Sequence, residues 1–141
     1  MRVLHYVLAA LMLMGLGGHA CAHDIYSHVF GKGGQLCCGG DPVTGDCAPV
    51  IAQIEGDYVV YFIHPGRIRQ SYKEMPDVRV RVPISFVTFL PIAGQEQQED
   101  VPMPGPGQAI GHFCGRPATF TAANVFDGWL VYCAFLDPGA T

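Results

Sequence analysis

Long apolar runs are scarce in this chain. The longest, Val3 to Leu16, covers 14 residues, short of the roughly 20 that a membrane-spanning helix needs. Charge is scarce as well. Asp, Glu, Lys and Arg make up 14% of the residues, and the formal net charge of −4 is too acidic for a nucleic-acid partner. Helical periodicity is missing: no stretch repeats apolar residues at three- and four-residue spacing long enough for a bundle helix. Catalytic signatures are missing too. There is no Gly-x-Ser-x-Gly elbow, no His-Glu-x-x-His, no P-loop and no Cys-x-x-Cys. Nothing in the sequence therefore asks for an enzyme.

What is abundant is glycine, proline and cysteine: 18, 11 and 6 residues. Many turns and few charges favour short strands over helices. The amino end has its own character. Arg2 precedes the apolar run, and Ala20-Cys21-Ala22 follows it. A positive start, a short apolar stretch and an Ala-x-Ala site make a cleavable signal peptide over residues 1–22. The mature chain then begins at His23 and forms a single domain, 23–141. Two other processing routes are compatible with the sequence. Cleavage after Ala20 leaves Cys21 first, and so does lipidation of Cys21, for which Gly18 is a poor fit. Export places the chain in the periplasm or outside a bacterial cell, with no transmembrane span in its mature form.

Cysteine number agrees with an oxidising compartment. Cleavage after Ala22 leaves five: Cys37, Cys38, Cys47, Cys114 and Cys133. An odd count allows two disulfides and leaves one thiol free for a metal, or for a second copy in a disulfide-linked homodimer. Adjacent Cys37 and Cys38 strain any ring they close together, so each looks elsewhere. The expected pairs are Cys114 with Cys133, from two strand segments, and Cys47 with Cys37 or Cys38. Connectivity itself stays open at this level.

Residues 23–49 are irregular and Gly-rich. Strand signatures begin at Val50-Ile51-Ala52-Gln53-Ile54 and continue at Tyr58 to Ile63, with Glu55-Gly56-Asp57 as the turn between them. Val78-Arg79-Val80-Arg81-Val82 alternates, which buries valine and exposes arginine. Ile84 to Leu90, Ile110 to Gly115 and Trp129 to Leu136 are further strand candidates. Thr119 to Asn124 suits a brief helical turn. Residues 94–108 carry clustered acids and then Pro-Met-Pro-Gly-Pro-Gly, a surface loop. The expected fold is mainly β: a small antiparallel sheet or open barrel, stapled by disulfides, behind an irregular amino-terminal segment.

Candidate chemistry centres on histidine. A mature amino-terminal His23 offers its amine and its ring to copper or zinc, and His28, His64 or His112 can add a second imidazole, with Asp24 or Tyr26 beside them. On a strand, His112 and Cys114 face the same way. A thiol redox role for Cys37-Cys38 has little support, because only Lys32 lies near in sequence to lower a pKa. Arg67, Arg69, Lys73, Arg79 and Arg81 are five of the eight basic residues. Interleaved with Glu74 and Asp77, they read as a solvated face before they read as a docking patch. Tyr61, Tyr72 and Trp129 are candidates for a binding face or for packing.

These residues also resemble a known pattern. His23-Asp24-Ile25-Tyr26, Cys37-Cys38-Gly39-Gly40, Asp46-Cys47-Ala48-Pro49-Val50, His112-Phe113-Cys114 and Tyr132-Cys133-Ala134-Phe135 are similar to a family of short, exported, cysteine-rich proteobacterial proteins. Members open near His-Asp-Trp-Tyr, run through Cys-Cys-Ser-x-x-Asp-Cys-x-Pro-Val and end with His-x-Cys and Cys-Phe-Phe. The chain departs from them at Ile25-Tyr26, in a longer Gly39–Asp46 loop and in the acidic segment after Pro91. The resemblance implies export and a shared cysteine framework; it supplies no activity.

Overall fold

The computed structural model describes Tyr26 and residues 29–37, 47–91 and 101–137. The expected signal segment 1–22, His23, His28, Cys38 and residues 94–100 of the expected loop lie outside the described residues.

The fold is mainly β, a sheet curled into a half-barrel. Strands β1 (Cys47–Glu55) and β2 (Tyr58–Ile63) form an antiparallel hairpin in which Glu55 faces Tyr58. Gly56 turns it with a φ of 59°, which glycine adopts freely. A one-turn helix, α1 (Pro65–Ile68), follows, with proline fixing its first residue. A 3-10 turn at Gln70–Tyr72 then leads to β3 (Val78–Pro83), antiparallel to β2. After it come β4 (Thr88–Phe89), β5 (Ala109–Pro117), β6 (Val125–Phe126) and β7 (Trp129–Leu136). Among the described residues the sheet order is β3-β2-β1-β5-β7-β4, with β6 paired to β7.

Alternation explains the inner core. Val59, Tyr61 and Ile63 of β2 and Val80 and Val82 of β3 pack with Ala48, Val50 and Ala52 of β1. Phe113, Trp129, Val131, Ala134 and Leu136 complete the opposite wall. Fully burying each large side chain contributes about 1.5–3 kcal/mol. Tyr61, Phe113, Trp129 and Tyr72 form a chain of tilted and edge-on rings with centroids 5.7, 5.8 and 6.4 Å apart. These aromatics pack the core and do not make an exposed binding face.

Two devices close the sheet. Asp127 and Gly128 both take positive φ, 45° and 82°, and make the tight Asp-Gly turn between Phe126 and Trp129. The Asp127 carboxylate then accepts a hydrogen bond from the Arg81 backbone N–H at 2.8 Å. A free edge of β3 is thereby capped instead of being left as a template for another strand.

Three sequence expectations need correction. Ile84 to Leu90 is not one strand. Phe86 and Val87 donate back to the Pro83 and Ile84 carbonyls and form a turn, leaving only the two-residue β4, which runs parallel to β7. Thr119 to Asn124 is a bend and a turn, not helix. β1 starts at Cys47, three residues before the expected Val50, because Cys47, Ala48 and Pro49 pair with Cys114, Phe113 and His112.

Candidate functional site at the buried cystine face

The outer face of the sheet carries the sequence's chemical candidates in two neighbouring rows. Pro49, His112 and Phe135 are register partners across β1, β5 and β7, and Cys47, Cys114 and Cys133 are partners one step along. His112 and Cys114 share the face, two residues apart on one strand.

Cys114 thus has a cysteine on either side. It bonds to Cys47, at a Cα separation of 4.0 Å, that of a closely spaced cross-strand pair. Cys133 bonds instead to Cys37, which comes from the amino-terminal segment above the sheet. The expected Cys114–Cys133 bond and the expected partnership of Cys47 with Cys37 or Cys38 are both replaced. Sequence places β5 and β7 side by side readily, as the last two long strand segments. It does not announce that β1 lies on the far side of β5.

Residues 29–37 form a small hairpin lying on this face. Gly31 donates to the Gln35 carbonyl and Cys37 to that of Val29, and Phe30 bridges Leu36. Gly31 packs so close that a Cβ there would stand 2.9 Å from the Cys133 sulfur and 2.6 Å from Gln35 Nε2. The β5–β7 register slips after Cys114, so that Tyr132 is an extra residue in β7. This bulge turns the Tyr132 carbonyl toward the hairpin, where Gln35 Nε2 donates to it at 2.6 Å.

Tyr26 completes the cover. Its hydroxyl and His112 Nδ1 share a hydrogen bond of 2.6 Å, with the rings edge-on at 5.5 Å. With the hydroxyl as donor, the imidazole carries its proton on Nε2. Tyr26 is 0% and His112 1% exposed. Burial pushes the His112 pKa down to about 4, against a smaller opposing pull from the Asp137 carboxylate. The ring is therefore neutral at physiological pH.

Among the described residues no three His, Cys, Asp or Glu side chains gather into a metal-holding group. Of the proposed set His23, His28 and His112, only His112 is described, and it sits sealed against Tyr26. The other described histidine, His64, is exposed, with Nδ1 bonded to Asp77. Cys37, Cys47, Cys114 and Cys133 are all oxidised and 0–1% exposed, a stapled core with no reactive thiol among them.

Comparison with protein-family models, with curated proteins and with solved structures finds no match to this chain.

The basic cluster is largely self-neutralised. Arg79 bonds Glu55 at 2.9 Å, and Arg81 meets Asp127 through both its backbone and its guanidinium. Arg79 also lies over the Phe62 ring and Arg81 over Tyr58. Of the acids expected to interleave, Glu74 stands 3.9 Å from Lys73 and Asp77 takes His64. Glu55 is brought in from β1 and Asp127 from the turn between β6 and β7, which linear spacing does not reveal. Tyr26, expected beside a metal, instead hydrogen-bonds His112, and Gln35 was invisible as a site residue, its only sequence signal being proximity to the Cys37 anchor.

Proposed function

We propose that this chain is an exported module of the bacterial cell envelope, periplasmic or secreted, with a binding or structural role. The observation that carries this reading is the cystine face. Two buried disulfides lie there, one tying an irregular amino-terminal segment to β7 and one joining β1 to β5. Bonds of this kind form and persist in oxidising compartments. The Ala-x-Ala pattern before His23 and the resemblance to exported cysteine-rich proteins support the same compartment. No helix among the described residues is long and apolar enough to cross a membrane.

Sealed cystines and a histidine locked to a tyrosine are means of holding a shape. They leave the chain's exposed surfaces to do its work. Expressing the full sequence in a bacterium and fractionating the cells tests the reading. Mass spectrometry of the envelope fraction is expected to find a chain starting at His23 or Cys21, two disulfides lighter by about four hydrogens. A cytoplasmic chain that keeps Met1 and has Cys37, Cys47, Cys114 and Cys133 reduced would overturn it.

A further inference from the structure

We propose that the cystine face is a disulfide-exchange switch with a second complete pairing, Cys37 with Cys47 and Cys114 with Cys133, reached when a small thiolate enters; this goes beyond the reading above. All four cysteines belong to one buried cluster with Tyr26 and Phe135. Cys47, Cys114 and Cys133 lie in one row across β1, β5 and β7. Register partners point the same way and stand about 4.5–5.5 Å apart at Cα, inside the roughly 4.4–6.8 Å that a disulfide spans. Cys133 is therefore placed to bond Cys114 with no movement of the sheet. On the other side, Cys47 Sγ lies 3.7 Å from the Cys37 carbonyl oxygen. The two disulfides adjoin, and the partners of the second pairing are already neighbours.

The exchange needs no net oxidant or reductant. An entering thiolate bonds to Cys37 Sγ, and the Cys37–Cys133 bond breaks with its electron pair on Cys133. The Cys133 thiolate bonds to Cys114 Sγ, and Cys47 leaves as a thiolate. Cys47 then bonds to Cys37 Sγ and expels the thiolate that entered. As many S–S bonds form as break, and the entering thiolate is regenerated.

Access sets the trigger. Cys37, Cys47, Cys114 and Cys133 are 0–1% exposed, so a thiolate reaches Cys37 only when the 29–37 hairpin opens. The exchange moves the hairpin's tie from β7 to β1, from one side of β5 to the other. It withdraws the Cys133 sulfur from beside Gly31 and draws Gln35 off the Tyr132 carbonyl. The cover over the outer face is thus re-anchored while the sheet beneath it keeps its register.

The experiment uses the disulfide-bonded protein with Cys38→Ser in every form. Free thiols are alkylated, the chain is digested with trypsin at mildly acid pH, and the peptides are identified by mass spectrometry. Residues 33–67 carry Cys37 and Cys47, and residues 82–141 carry Cys114 and Cys133, with Arg116 left uncut before Pro117. The present pairing joins these two peptides; the second pairing separates them, each closed on itself. Incubation with glutathione at pH 8 is expected to yield the separated, internally bonded peptides. Because thiolate is the attacking form, this should run about tenfold faster than at pH 7, at a rate that dilute urea leaves unchanged. Two variants test the two internal attacks singly, with no added thiol. Cys47→Ser leaves Cys114 to attack Cys133 and is expected to separate the peptides with Cys37 alkylated. Cys114→Ser leaves Cys47 to attack Cys37 and is expected to separate them with Cys133 alkylated. Peptides that stay joined in either variant, a parent protein that glutathione leaves joined or merely reduces, or a rate that climbs with urea as global unfolding does, each overturns the proposal.

Discussion

Replacing Cys37 and Cys133 together by alanine, and separately Cys47 and Cys114, distinguishes two jobs that the disulfides do. Their loops are nested, with separations of 96 and 67 residues. When one bond is intact, the other closes a circuit of only the difference, 29 residues. Loop-closure entropy for a circuit of that size is about 3–4 kcal/mol for either bond. A domain of this size loses roughly 4 °C or more per kcal/mol, so each double variant is expected to melt about 12–20 °C lower.

Local consequences differ. Cys47–Cys114 joins two strands already paired along six positions. Cys37–Cys133 is the covalent tie between the 29–37 hairpin and the sheet. Without it, the side-chain hydrogen bonds of Gln35 to Tyr132 and of Tyr26 with His112 still hold this segment, worth about 1 kcal/mol each. The hairpin should then open far more often than the sheet. Lys32 sits exposed at its tip and reports this opening through trypsin. Well below the melting temperature, cleavage after Lys32 is expected to be at least about tenfold faster in Cys37→Ala/Cys133→Ala than in Cys47→Ala/Cys114→Ala. Equal cleavage rates in the two variants would refute the assignment of one bond as the tie and the other as a reinforcement.

His112 gives a pH signature. An unfolded histidine takes a proton near pH 6.5, whereas the buried ring does so only near 4. Its contribution is therefore complete above pH 6.5, fades as pH falls from 6.5 to 4, and changes no further below. The loss is about 3 kcal/mol across that window. Urea midpoints of His112→Gln should show a correspondingly flatter slope there, and parallel slopes would contradict the burial argument. Gly111 tests the inner core. A Cβ there would meet Tyr61 Cε1 at 2.8 Å and the Phe135 carbonyl oxygen at 2.9 Å, and the Tyr61 hydroxyl already donates to that same carbonyl. Gly111→Ala is expected to cost about 1–3 kcal/mol by overpacking, read from the urea midpoint. An unchanged midpoint would show that Tyr61 does not lie over Gly111.

Elements with a strong local pattern were legible. Tyr58 to Ile63 and Trp129 to Leu136 occupy the expected residues, and the valine face of β3 is buried while Arg79 and Arg81 are exposed. The turn at Gly56 follows from glycine itself. What sequence could not supply were lateral neighbours. Phe86 lies in a strand-like apolar run, yet it closes a turn and stacks edge-on against Phe126, 40 residues on. The acids on Arg79 and Arg81 come from β1 and the β6–β7 turn. The candidate site shows the same division. His112 and Cys114 do share a face as strand geometry requires, but Tyr26, which seals that face, comes from a segment without periodicity.

One irregularity brings Cys133 within reach of Cys37. Strict alternation along Trp129 to Leu136 puts Trp129, Val131, Cys133 and Phe135 on one face. The inner core instead holds Trp129 and Val131 together with Ala134 and Leu136. Tyr132, the extra residue at the bulge, shifts the parity so that Cys133 and Phe135 emerge on the outer face. A one-residue slip reverses every side chain beyond it. Cys133 thus meets Cys37 above the sheet, and Cys114, still beside it in register, is left to Cys47. The bulge that frees the Tyr132 carbonyl for Gln35 also decides which cysteines can meet. Drawing Tyr132 into the regular ladder would send Cys133 into the inner core and leave Cys37 without its partner, whereas deleting Tyr132 keeps Cys133 on the outer face.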